Sequence, residues 1–284
     1  MGAGHLRSGL ARLCECRAYT AGDDTVAHAV EAVGGMRRNE RVRIFLAGAT
    51  GAIGKRLVPV LREARYQVIG TTRSPSRADG LRAAGIEPAV VDVFDRASLI
   101  RAVAAARPDI IVQQLTDLPP GLDASQMDEG RRRNARMRSE GTRNLVDAAV
   151  AAGVPRFIAQ SIAWMYAPGR EPHDEGDPLD IRAPGTPAVT VTGVAALEHL
   201  VLGSPPIEGI VLRYGHLYGP GTGSDTSGEA PSLHVDAAAA AAVLAIEKGR
   251  GGIYNIAEPN SYISTDKARR ELGFEAGFRL AALV

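Results

Sequence analysis

Three glycines at spacing three, Gly48, Gly51 and Gly54, stand between a short apolar run and an amphipathic stretch. Residue types in that order suit a polyphosphate. The first glycine can take backbone angles closed to other residues and so make a tight turn. Gly51 has no side chain and lets a pyrophosphate approach the main chain, while Gly54 lets the next helix pack close on the strand. The free N–H groups and partial positive charge of that helix terminus complete a dinucleotide site. About 20 residues further on, such sites carry an acidic residue for a ribose 2′-hydroxyl or an arginine for a 2′-phosphate. The chain has Arg73 there, beside Ser74 and Arg77, with no carboxylate nearer than Asp79. A guanidinium fork matches phosphate oxygens, so NADP(H) is expected over NAD(H); a solvated basic turn is the other reading.

Asp92-Val93 closes another apolar run, and its carboxylate either meets an adenine amino group or caps the adjacent turn. His173, Asp174, Glu175 and Asp177 share a polar stretch broken by Pro and Gly, which reads as a surface loop and not as a metal site. Arg131, Arg132, Arg133, Arg136, Arg138 and Arg143 cluster on one expected helix. A solvated face is the ordinary role for such a run, with anion binding as the alternative.

The elements that must position these groups follow from the apolar patterning. Strands are expected at 42–46, 66–72, 88–93, 108–116, 154–161, 210–214 and 253–256. Helices are expected at 52–65, from Asp95 onward, at 131–152, 192–202, 235–248 and 265–272. Strand and helix alternate throughout, which makes the fold α/β with a doubly wound parallel sheet. No internal repeat interrupts the series.

The 284 residues are 45% hydrophobic and 23% charged, with net charge +1. That balance fits a globular, cytoplasmic protein and gives no electrostatic case for nucleic acid or an anionic membrane. No run approaches the roughly 20 apolar residues of a membrane helix. Cys14 and Cys16 are the only cysteines and read as free thiols. Residues 1–40 stand outside the periodic pattern and are expected to form a loosely ordered extension.

Gly48-Ala49-Thr50-Gly51-Ala52-Ile53-Gly54, Gly141-Thr142-Arg143-Asn144-Leu145, Leu212 to Pro220 and His234-Val235-Asp236 resemble the extended short-chain dehydrogenase/reductases, the NAD-dependent epimerase/dehydratase family. The resemblance spans about residues 42–275. It implies a Rossmann domain over 41–284 with a small C-terminal substrate lobe drawn from 167–190 and 215–284. It implies cofactor contacts at Gly48, Thr50, Gly51, Ala52, Ile53, Gly54, Arg73, Ser74, Asp92, Val93, Leu115, Thr116 and Tyr214, and pairing of the helices at 131–152 and 192–202 in a homodimer. The family's chemistry uses a tyrosine four residues before a lysine, with a Ser or Thr nearby. The lysine and the nicotinamide charge lower the tyrosine's pKa, so a phenolate can exchange a proton with a substrate hydroxyl.

This chain departs from that pattern. Aligning Glu198 with the family's acidic residue puts Thr190 at the tyrosine and Val194 at the lysine, and no Tyr-x-x-x-Lys occurs anywhere. Ile162 falls at the usual Ser/Thr position, with Ser161 beside it. Three readings follow. An atypical member transfers hydride to or from a small carbonyl or hydroxyl substrate using Ser161, Tyr166 and His216, the histidine having a suitable intrinsic pKa. Alternatively, the protein binds the dinucleotide without turnover as a sensor or interaction module. In the third reading it is an epimerase- or dehydratase-like enzyme acting on a nucleotide-linked sugar.

Overall fold

The computed structural model describes residues 42–280; the extension expected over 1–40, with Cys14 and Cys16, lies outside the described residues. Strand β1 (Arg43–Ala47) is apolar on both faces, with Ile44 and Leu46 in one core and Phe45 and Ala47 in the other. A strand with no wet face must lie inside a sheet covered on both sides. Strands β2 (Gln67–Thr72), β3 (Glu87–Val90), β4 (Ile110–Gln113), β5 (Arg156–Ile162), β6 (Glu208–Tyr214) and β9 (Gly252–Ile256) all run parallel with it, in the order β3-β2-β1-β4-β5-β6-β9. Two short strands, β7 (His216–Tyr218) and β8 (Ser232–His234), form a separate parallel ladder.

Helices α1 (Ala52–Glu63), α7 (Val235–Lys248) and α8 (Asp266–Leu272) cover one face of the sheet; α3 (Arg96–Ala106), α5 (Thr142–Ala151) and α6 (Thr186–Leu202) cover the other. Helix α2 (Pro75–Ala83) lies against β2 and β3, and α4 (Met127–Arg136) packs on α6. That last contact is close, because a Cβ on Gly193 would stand 2.8 Å from the Ala135 Cα. The doubly wound parallel sheet read from the alternation is the observed fold.

Several boundaries differ from expectation, each for a local reason. No helix is expected over 75–83; Ser74 is the N-cap and Pro75 the first residue of α2, where proline's fixed φ suits a helix start. The helix expected over 131–152 begins at Met127 and is divided into α4 and α5 by a π-helical turn, Met137–Gly141. Helix α6 starts at Thr186 and not at Thr192. Strand β3 stops at Val90, so Asp92 sits in the following turn, where its carboxylate accepts the Phe94 N–H at 2.9 Å.

Candidate active site

At the end of β1 the chain turns through Gly48, whose φ is +98° and whose added Cβ would stand 2.7 Å from the Gln114 carbonyl oxygen. At Gly54 an added Cβ would overlap the Gly48 and Ala49 main chain, so α1 sits directly on the turn. Gly51 meets only the Gly48 carbonyl oxygen, at 3.3 Å, and is otherwise open. No side chain caps the α1 N-terminus and no acidic residue stands in its first turn. Its first N–H groups are therefore free to donate to an anion.

These residues open into a groove of about 540 Å³ along the C-terminal ends of β1, β2 and β4. Of the expected cofactor contacts, Gly48, Thr50, Gly51, Arg73, Ser74, Val93, Leu115 and Thr116 line it. Ala52 and Tyr214 instead line the adjoining chamber, and Ile53 and Gly54 are buried beneath the turn. Asp92 is not among the lining residues, because its carboxylate is turned to the Phe94 N–H. Gln114, which the sequence reading passed over, also lines the groove, and its Oε1 is buried without a partner. A buried acceptor left unsatisfied in a groove wall is a place for a ligand hydroxyl or amide.

Thr116 also borders the second space, a chamber of about 710 Å³. Its floor comes from the end of β5, its sides from α6, β6 and β7, and its rim from residues 118–122 and 221–229. Alternation along β5 decides which residues reach it. Gln160 and Ile162 are in the wall, whereas Ser161 points away, fully buried, and donates to Glu198 Oε1 at 2.8 Å. Tyr166 is likewise outside the lining. Its hydroxyl donates to Asn255 Oδ1 at 2.7 Å, its ring stacks on His173 at 5.0 Å, and the Arg213 guanidinium lies 4.9 Å from the ring centroid. His173 is itself buried, bonded to Asp177 at 2.8 Å, so the stretch read as a surface loop is tied into the core.

Of Ser161, Tyr166 and His216, only His216 reaches the chamber. Its ring stacks on Trp164, with centroids 3.7 Å apart. Burial pulls its pKa below the usual histidine range, and the nearby Glu229 carboxylate partly restores it. Thr190 lines the chamber one helical turn before the fully buried Val194. No lysine lines the chamber among the described residues.

Behind the wall lies a buried ion pair. Arg213 donates through Nε and Nη2 to the two Glu198 oxygens at 2.9 and 2.7 Å, and its Nη1 has no partner among the described residues. Arg138, in the π-helical turn, is 6% exposed and lines the chamber. The sequence reading placed it in a solvated basic run. Desolvation lowers its pKa to about 10, against the opposing pull of Glu198. Nothing in the spacing of six arginines singles it out; it lies four residues after the buried Asn134 and so shares that residue's face of the helix.

A family model, NAD dependent epimerase/dehydratase family, matches residues 44–233. A 3-diazoavenalumate denitrifying reductase of a Streptomyces species is 41% identical over 238 residues, 76% of this chain and 76% of that protein. A 3-beta-hydroxysteroid dehydrogenase of Mycolicibacterium neoaurum is 28% identical over 61% of this chain and 46% of that protein. Among solved structures, the DesIV dTDP-glucose 4,6-dehydratase of Streptomyces venezuelae aligns with TM-score 0.68 at 18% identity, covering 84% of this chain and 93% of that one. The UDP-glucose 4-epimerase of Thermotoga maritima aligns with TM-score 0.66 at 19% identity, covering 84% and 94%. The glycine turn, the parallel sheet built behind it and a match across two thirds of the sequence agree: the chain belongs to the NAD dependent epimerase/dehydratase family.

Proposed function

We propose that the chain is an NADPH-preferring reductase of a small substrate, working without the tyrosine–lysine proton relay of its family. The observation that carries this is the pairing of an intact groove with an altered chamber. The two meet at Thr116, and the α6 positions that would hold the relay are Thr190 and Val194. Neither side chain can hold a proton for exchange or a charge.

The groove residues fit a dinucleotide. Gly51 and the uncapped N-terminus of α1 receive the pyrophosphate, and Gln114 Oε1 accepts from a ribose or amide group. Arg73 and Arg77 stand exposed at the far end beside Ser74 and Ser76, with no ion pair among the described residues, and receive a 2′-phosphate. Once bound, the dinucleotide supplies hydride at the Thr116 end of the chamber. Thr190 orients the substrate through its hydroxyl. His216, held flat on Trp164, is the chamber's titratable imidazole, and burial favours its neutral, proton-accepting form.

A substrate with its own leaving group suits such a chamber, because the carbon that gains hydride then needs no acid to polarise an oxygen. The Streptomyces relative is named for reducing a diazo compound with loss of nitrogen. At an arenediazonium carbon the hydride pair becomes the C–H bond and the C–N pair leaves with dinitrogen, neutralising the cation, so no proton is required. Activated carbonyl compounds are the second class. Val194 also favours a binding-only role, the reading that replaces this one if no substrate turns over. The homodimer through α4–α5 and α6 belongs to this proposal too.

The test is a titration of the full chain with NADPH and NADH, followed by nucleotide fluorescence and melting temperature, since a ligand of the folded state alone raises stability. Preference for NADPH that Arg73→Ala abolishes supports the cofactor assignment. Oxidation of bound NADPH by an arenediazonium or quinone but not by simple ketones supports the chemistry. Binding of neither nucleotide overturns both.

A further inference from the structure

Arg138 is the chamber's one deeply buried charge, and it has no counter-ion of its own. It makes no hydrogen bond or ion pair among the described residues. The buried carboxylate whose charge acts on it, Glu198, already gives both oxygens to Arg213 and one of them to Ser161 as well. Two buried guanidiniums therefore share one carboxylate, leaving an excess of one positive charge beneath the chamber wall. Uncompensated buried charge is costly. A ligand anion removes that cost.

The other lining groups bear on which anion. Arg131 pairs with Asp128 at 3.0 Å on the surface, and Glu229 is exposed at the rim. Asn134, one turn before Arg138 and 4% exposed, accepts the Asp117 N–H through Oδ1 at 3.0 Å, which leaves its NH₂ as a second donor in the wall. A single buried fork with one amide beside it matches one carboxylate. The wall also carries a flat, apolar stretch, the Trp164–His216 stack with Met165, Leu118 and Leu217, beside the uncharged Gln160 and Thr190. Aromatic rings stack favourably on such a platform.

We propose that the chamber takes an aromatic carboxylate, with Arg138 and Asn134 gripping the carboxylate and the Trp164–His216 stack holding the ring. This rests on reading the chamber as the substrate site and names the class of substrate. Arg138 acts as an anchor, fixing where the ring stops relative to the groove.

Trp164 is the sole tryptophan of the chain, so its emission reports directly on the chamber. The full chain is titrated with 3-phenylpropanoate, its methyl ester and uridine diphosphate, reading Trp164 emission. The acid is expected to quench, with the ester about 10–100-fold weaker, as the loss of a charge-assisted pair implies. Arg138→Met brings the acid to the ester's level while NADPH binding is unchanged, and Arg138→Lys retains part of the difference. Equal affinity for acid and ester, no response to either, or an Arg138→Met variant that binds the acid like wild type overturns the proposal. Tighter, Arg138-dependent binding of uridine diphosphate also overturns it, assigning the arginine to a nucleotide-linked substrate. If Arg138→Met does not fold, the acid–ester comparison in the unaltered chain decides alone. Emission needs no turnover, so a protein that binds the acid yet never oxidises NADPH fails the reductase reading and not this one.

Discussion

Glu198→Gln gives the sharpest test of the charge arrangement behind the chamber. The carboxylate is 5% exposed and accepts from Arg213 Nε at 2.9 Å, Arg213 Nη2 at 2.7 Å and Ser161 Oγ at 2.8 Å. Glutamine keeps the shape but turns one acceptor into a donor facing a guanidinium, and it leaves Arg213 and Arg138 buried with no anion between them. Breaking a buried pair by neutralising one partner costs about 3–5 kcal/mol. At about 2–4 °C per kcal/mol for a domain of this size, the melting temperature falls by about 6–20 °C. The control is Glu208→Gln, which removes the partner of Arg156 at 2.6 Å where both side chains are partly exposed; that change costs under about 1 kcal/mol. Urea unfolding of both variants, together with Glu198→Gln/Arg213→Met, measures the terms. The double variant recovers part of the loss, because it removes one of the stranded charges. Equal losses for Glu198→Gln and Glu208→Gln would refute the reasoning, since burial would then make no difference to what the pair contributes.

The remaining predictions concern the turn, the histidines and assembly. Gly54→Ala drives a methyl into the Gly48–Ala49 main chain and lowers stability by about 1–3 kcal/mol with loss of nucleotide binding, whereas Gly80→Ala, exposed in α2 with open space around it, raises stability by about 0.5–1 kcal/mol; urea unfolding measures both. His216 and His234 both have pKa values lowered chiefly by burial, so the unfolded chain binds more protons and stability falls as pH drops below about 6.5 toward their folded values. His216→Phe, which keeps the stack on Trp164, flattens that acid limb of a melting-temperature profile. Val150, Val189 and Leu202 are exposed on α5 and α6, and light scattering is expected to give twice the chain mass.

The sheet was legible because buried parallel strands are short, continuous apolar runs, as at Ile44 to Ala47 and Ile210 to Leu212, each set between turn residues and helical stretches. The groove at the glycine turn was legible because backbone geometry demands glycine at Gly48 and Gly54, and geometry of that kind is written in residue identity. The chamber was not. Ser161 sits in a strand whose alternation is hidden when both faces are buried, so the choice between Ser161 and Ile162 had no polar marker. Tyr166 and His173 face each other only because a long loop folds back on β9. Arg138 looks like five other arginines until the helix carrying it is phased. Helix α2 was missed because its apolar pattern is thin, with Ala78 and Leu81 alone buried.

The π-helical turn at Met137–Gly141 has a consequence for how the two halves of the cleft can vary. Such a turn holds one residue more than an α-turn. Upstream of it, Asn134 faces the chamber; downstream, Thr142 accepts from Gln113 Nε2 at 2.8 Å and Asn144 donates to the Val93 carbonyl at 2.8 Å, steadying the groove. A straight helix would set both faces by one rotation, and a shift suiting the chamber would pull Asn144 off the groove by about 100° per residue. The extra residue works as a slip joint. It lets the chamber side be rephased while the groove side keeps its register.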